Sequence, residues 1–229
     1  MRSFPFLIIL LFLALAIPSQ ALARLPQYKL TKIDSVGWWR PGGAVNNHSE
    51  VAGQTAAGRP FHWVNGVTTM LSSLGGDAGA TNINDNSVIV GGSGIEPGSC
   101  FGPPVRWIGG NISALTNDGR FDFGLAWGIN SNGTIVGAVH DTSGEDLAFI
   151  FDGTLRTVDP GVPIGSHGFE KINDNGLALM GTGYYFNGHF TDIGAAVYDI
   201  NNRNQIVARR SGGGILWKEI GRASCRERV

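Results

Sequence analysis

One short pattern is written five times along this chain: an aliphatic residue, an Asn, a polar turn, then an apolar strand that usually closes on Gly. It reads Val45-Asn46-Asn47-His48-Ser49-Glu50-Val51-Ala52-Gly53, then Ile83-Asn84-Asp85-Asn86-Ser87-Val88-Ile89-Val90-Gly91, then Ile129-Asn130-Ser131-Asn132-Gly133-Thr134-Ile135-Val136-Gly137. Two further copies run from Ile172 to Gly181 and from Ile200 to Ala208. A repeat constrains architecture strongly, because every copy must fold into the same small unit and bury its apolar face against its neighbours.

Each copy sits in a larger unit whose second landmark is an aromatic strand ending in a turn. These are Phe61-His62-Trp63-Val64-Asn65-Gly66, Val105-Arg106-Trp107-Ile108-Gly109-Gly110, Ala148-Phe149-Ile150-Phe151-Asp152-Gly153, Tyr184-Tyr185-Phe186-Asn187-Gly188 and Ile215-Leu216-Trp217-Lys218. A short alternating segment follows each full turn, so a unit reads as four short strands. Asn-Gly and Asp-Gly between strands predict two-residue hairpins, because the favoured turn needs positive φ. No segment keeps a 3.6-residue apolar period, so helix is expected to be scarce. Four strands in about 40 residues predict an all-β fold, a β-propeller of four-stranded blades with about five repeats present and its last unit cut short. An open sandwich or a solenoid is the alternative.

The ends read differently from the middle. Residues 1–23 combine an early Arg, an apolar run from Phe4 to Ile17, Pro18 and the small-residue site Ala21-Leu22-Ala23, the pattern of a secretory signal peptide cleaved after Ala23. The run is too short for a confident membrane span, which takes about 20 apolar residues. Residues 219–229 lack the repeat and are rich in Arg; they resemble the translation of a sequencing adapter and are expected to be non-native. The repeat domain is then 24–218. Tyr28–Asp34 resembles a fourth strand with no first three before it, and is expected to complete the last blade or a larger ring.

Residues 24–218 hold 13 Lys or Arg against 16 Asp or Glu, a formal net charge of −3. With no basic stripe, nucleic acid is not an expected partner. One Cys, Cys100, lies in this stretch, so it is a free thiol, an interchain partner or half of a lost pair.

The aliphatic-Asn-x-x-Gly-x-Val-Val-Gly pattern followed by Ala-Phe-x-Trp-x-Asn-Gly resembles the HAF-type extracellular repeat family over Tyr28 to Lys218. Gly128–Gly137 with Ala148–Gly153 fits best. The resemblance implies a secreted or surface-displayed bacterial β-propeller of undefined activity, and it supplies no catalytic residues.

In a propeller the second-to-third and fourth-to-first loops share one face, and here they carry the unusual residues. Function on such scaffolds sits on loops. Trp38, Trp39 and Arg40 offer an aromatic platform before a Pro-Gly turn, for stacking on a sugar or aromatic group, or one ring is simply core. The insertion Ser93–Pro104 carries Glu96 and Cys100, and Arg120 lies near Asp122. His140, Asp141, Glu145 and Asp146 place a titratable base beside three carboxylates, chemistry suited to acid–base work, a metal site or a solvated acidic loop. The other His residues lack zinc-ligand spacing, and Asn84-Asp85-Asn86 lacks the full calcium-loop pattern, so no metal or cofactor is expected. Without a catalytic motif, the expected function is a secreted, non-catalytic binding or surface-display scaffold, with a glycan or another surface protein as partner. A carbohydrate-active hydrolase on a propeller is the alternative, on fold analogy alone.

Overall fold

In the computed structural model the described residues are 30–33, 43–100, 102–161, 168–220 and 223–228. The signal-peptide segment and Trp38, Trp39 and Arg40 lie outside them. The chain divides into two units, Met1–Lys32 and Ile33–Val229, and every strand belongs to the second. Among the described residues there is no helix.

The strands form five four-stranded antiparallel sheets, each made of four strands consecutive in sequence. Sheet one contains β1 (Gly43–Val45), β2 (Val51–Gln54), β3 (Pro60–Val64) and β4 (Val67–Met70). Sheet two contains β5 (Ala78–Ile83), β6 (Ile89–Ser93), β7 (Pro104–Ile108) and β8 (Asn111–Ala114). Sheet three contains β9 (Phe121–Ile129), β10 (Ile135–Asp141), β11 (Asp146–Phe151) and β12 (Leu155–Val158). Sheet four contains β13 (Lys171–Ile172), β14 (Ala178–Met180), β15 (Gly183–Phe186) and β16 (His189–Asp192). Sheet five contains β17 (Ala196–Ile200), β18 (Gln205–Arg210), β19 (Gly213–Ile220) and β20 (Ala223–Arg228).

The first strands of successive sheets lie side by side, β5 against β1, β9 against β5, β13 against β9 and β17 against β13. Cores form between the sheets. Ala52 and Leu71 of sheet one pack with Ile83, Ile89 and Trp107 of sheet two, and Val90 of sheet two packs with Ile129, Ile135 and Phe149 of sheet three. The alternation of a strand explains this division, because successive side chains point to opposite faces. In β6, Ile89 faces the preceding sheet and Val90 the following one; in β10, Ile135 and Val136 repeat the arrangement. In sheets two to four the apolar run that closes the repeat is therefore a strand buried on both faces. Trp107 is fully buried, and its indole Nε1 donates to the Ser72 carbonyl at 2.9 Å, so the ring brings no orphaned donor into the core.

Two turn chemistries recur. Asn65-Gly66, Gly109-Gly110 and Asn187-Gly188 have positive φ at both residues, the two-residue hairpin that the dipeptides predict. Asp152-Gly153 differs: Phe151 pairs with Leu155, so its loop has three residues, 152–154. The Asn turns of the repeat are also three-residue loops. In the first, Asn46 N donates to Glu50 O and Ser49 N to Asn46 O, with Ser49 at φ 62°. Ser87, Gly133, Gly176 and Asn204 take the same left-handed position in the other copies. An L side chain there costs about 1 kcal/mol. Ser49 is exposed, so Ser49→Gly is expected to stabilise the protein by about 0.5–1 kcal/mol, read as a raised denaturant midpoint.

Of the expected closing strand Tyr28–Asp34, residues 30–33 lie in no strand, and Tyr28, Lys29 and Asp34 lie outside the described residues. The fourth place in sheet five is taken by β20, from the Arg-rich tail, pairing Ile215 with Arg228 through to Ile220 with Ala223. Ladder bonds are made by main chain, so an open strand edge accepts a sequence with no matching pattern.

Candidate functional site

The repeated Asn explains itself at the seams between sheets. Asn84 Oδ1 accepts from the backbone N–H groups of Asn86 and Val88, both at 3.0 Å, closing its own turn. Its amide Nδ2 donates to the Asn130 carbonyl of the next sheet at 3.0 Å. Asn46 donates in the same way to Asn84 O, Asn130 to Asn173 O, and Asn173 to Asn201 O. These side chains form a ladder through the turns that follow the first strands, reaching all five sheets. Asn46, Asn84, Asn130 and Asn173 are buried, and the amide supplies from separate atoms both an acceptor for the turn and a donor for the neighbour.

The residue after each Asn adds a second, exposed row. Asp85 accepts from Asn47 N and Asn47 Nδ2, both at 2.8 Å, and Asp174 accepts from Ser131 N, Ser131 Oγ and Asn202 Nδ2. The five turns surround one polar depression of about 170 Å³, lined by Asn47, Asp85, Ser131, Asp174 and Asn202. The Asp85 carboxyl is held below its usual range, chiefly by the Asn47 backbone N–H and then by the Asn47 amide. These carboxylates tie neighbouring turns together, and Asp85 as a general acid would need the opposite shift.

At the first seam Glu50 Oε2 accepts from Ser87 Oγ at 2.6 Å and Asn46 Nδ2 at 2.9 Å, with buried His62 Nε2 3.4 Å away and outside hydrogen-bond alignment. The Glu50 carboxyl is lowered from its ordinary 4.5, first by the Ser87 hydroxyl and against the effect of burial. A carboxyl lowered in the folded state stabilises the protein above its unfolded value and loses that contribution as pH falls through the folded one. Glu50→Gln is therefore expected to flatten the loss of thermal stability below about pH 4.5, the ordinary value, measured as melting temperature against pH.

The candidate residues of the third sheet come together at the far end of β9 and β10, the longest strand pair of the first four sheets. Thr142 N donates to the Arg120 carbonyl at 2.9 Å, joining the two stretches. Arg120 pairs with Asp118, Nε to Oδ2 at 2.8 Å, and its guanidinium lies 5.4 Å from the Phe121 ring centroid. Asp122 is exposed and is skipped by the strand register, which pairs Phe121 with Asp141 and Phe123 with His140. Such a bulge re-aims the side chains around it. His140 stacks on Phe123, centroids 4.7 Å apart and planes at 15°, while its Nδ1 lies 3.0 Å from Asp146 Oδ1.

Asp141 has a structural task. Its Oδ1 accepts from Ser143 N, Ser143 Oγ and Glu145 N, and its main chain bonds Glu145 and Gly144 as Asn46 bonds Glu50 and Ser49. It closes the β10–β11 turn as Asn closes the repeat turns, and the Ser143 hydroxyl leads the causes that lower its carboxyl. Glu145 is exposed at the end of that turn. The sequence reading missed Phe121 and Phe123, whose signal was the Phe-Asp-Phe run beside Arg120. Cys100 is an exposed free thiol in the β6–β7 loop, away from this cluster in sequence. Comparison of the chain with protein-family models, curated proteins and solved structures returns no match.

Proposed function

We propose that the five sheets are blades of a β-propeller and that the chain acts as a secreted, non-catalytic glycan-binding scaffold of the HAF-repeat type. The radial reading is supported by adjacent first strands and by five turns around one depression. The binding reading rests on one observation, the half-buried Phe123–His140 stack flanked by the Arg120–Phe121 pair. Flat rings with polar edges suit a sugar, whose C–H faces stack while its hydroxyls find the imidazole, Arg120 and Asp122. Asp141, Asp85 and Asp174 already accept two or more hydrogen bonds each, which argues for turn architecture over acid–base chemistry.

The test is a glycan array followed by titration of the best ligand. Phe123→Ala and His140→Ala are each expected to weaken binding at least tenfold, consistent with the loss of about 1.4 kcal/mol. Hydrolysis of the bound glycan that disappears in His140→Ala would replace the scaffold reading with an enzymatic one.

A further inference from the structure

The row of sheets ends on two faces that repeat the chemistry of its internal seams. Along the second strands the residue six positions after the Asn faces the following sheet: Ala52, Val90 and Val136 are each 0% exposed and Leu179 is 1%. Val207 holds the same position in sheet five and is 50% exposed. Tyr198, the residue skipped in the register of β17, is 54% exposed, whereas Thr81, skipped in β5, sends its hydroxyl to the Ala126 carbonyl of the next sheet. At the other end Val45 is 67% exposed, where its equivalents Ile83 and Ile129 are 4% and 7% exposed against the preceding sheet.

The Asn ladder is open at the same two places. Asn201 Nδ2 turns back to Gln205 Oε1 at 2.8 Å instead of crossing to another sheet. The carbonyls of Asn84, Asn130, Asn173 and Asn201 each accept a turn N–H and a neighbour's amide; among the described residues that of Asn46 accepts only the turn N–H of Ser49. One end lacks an acceptor, the other lacks a donor, and both expose aliphatic surface.

We infer that these faces are seats for further units of the same repeat, carried on a continuation of this polypeptide, each presenting an aliphatic-Asn turn. The incoming unit supplies a carbonyl to Asn201 and an aliphatic residue against Val207, and the last unit supplies an amide to Asn46 and covers Val45. The inference rests on the propeller reading in two respects, the number of units and the closure that brings the last of them to Asn46 and Val45. Propellers hold about four to eight blades, so the gap beside five admits about one to three units. A second copy would bring five sheets, more than that gap admits.

The test reads the gene onward from the codon for Lys218 and compares the encoded polypeptide with the 229-residue chain. Expected are one to three more aliphatic-Asn units, with Val207→Glu lowering the melting temperature of the longer polypeptide by more than about 10 °C and of the 229-residue chain by less than about 3 °C, the contrast between a buried and an exposed site. Val136→Glu, buried in both, is the positive control for a filled seat. A frame that ends without another unit overturns the inference, as does equal sensitivity of the two proteins to Val207→Glu. Concentration-dependent self-association of the 229-residue chain that Val207→Glu abolishes would also overturn it, by placing a second copy in the seat. Small-angle scattering separates the two readings: a closed disc without added units removes this inference alone, and an extended rod removes the propeller itself.

Discussion

Asn84→Asp is expected to destabilise the protein by about 3 kcal/mol at neutral pH while leaving its turn intact. The carboxylate keeps the acceptor that closes the turn, as Asp141 shows in the β10–β11 loop. It loses the amide that donates to Asn130 O at 3.0 Å, and sets a buried negative charge against a carbonyl oxygen. Asn84→Ala removes the turn bonds as well and is expected to cost about 4 kcal/mol, or about 10 °C in melting temperature for a domain of this size. The Asn84→Asp variant carries a second signature. Relative to wild type it should recover part of its deficit near pH 4, where a protonated carboxyl can donate to Asn130 O. Asp141→Asn, by contrast, should fall within about 0.5 kcal/mol of wild type, because an exposed turn needs only the acceptor. Calorimetric melts of these variants at two pH values decide the matter, and an Asn84→Asp protein as stable as wild type would show that the ladder bond contributes nothing.

Gly137→Ala is expected to cost about 3 kcal/mol or more, by a different route. A Cβ at Gly137 would overlap the Leu125 carbonyl oxygen of the adjacent strand and sit 2.7 Å from the Phe149 ring, so backbone and core must both move. Gly133→Ala makes the comparison. Nothing lies within 4 Å of its Cβ, and its cost is only that of a left-handed φ of 84°, about 1 kcal/mol. Denaturant titration that ranked the two equally would mean that the β9–β10 approach is looser than its geometry. The fifth copy carries Ala208 at the position of Gly137 and buries it, with Val197 opposite, and the fourth buries Met180 there, so the demand for a small residue is local to the close β9–β10 approach.

The repeat was legible because turn chemistry and strand alternation are local. Asn followed by a polar pair and a Gly or Ser sets a turn, and two-sided apolar runs set strands, whatever the rest of the chain does. The role of the Asn was not legible in the same way. As a turn former it could have been Asp or Ser; only the neighbouring sheet, about 40 residues away in sequence, supplies the carbonyl that makes the amide necessary. The acidic loop was legible by residue type alone. That Asp141 also closes its own turn, through hydrogen bonds from Ser143 and Glu145 backbone N–H groups, depends on the strand register around it. Phe123 and His140 lie 17 positions apart, and the register of β9 on β10 is what makes them a stacked pair.

The sequence by itself determined the unit: four short strands, their turns, and which residues point to either face, because propensity and period act within a few residues. Tertiary structure alone decided how units meet, which polar side chains become seams, and which faces of the end sheets stay uncovered. Those outcomes depend on distances between segments far apart in the chain, and burial exists only once a neighbour is there to provide it.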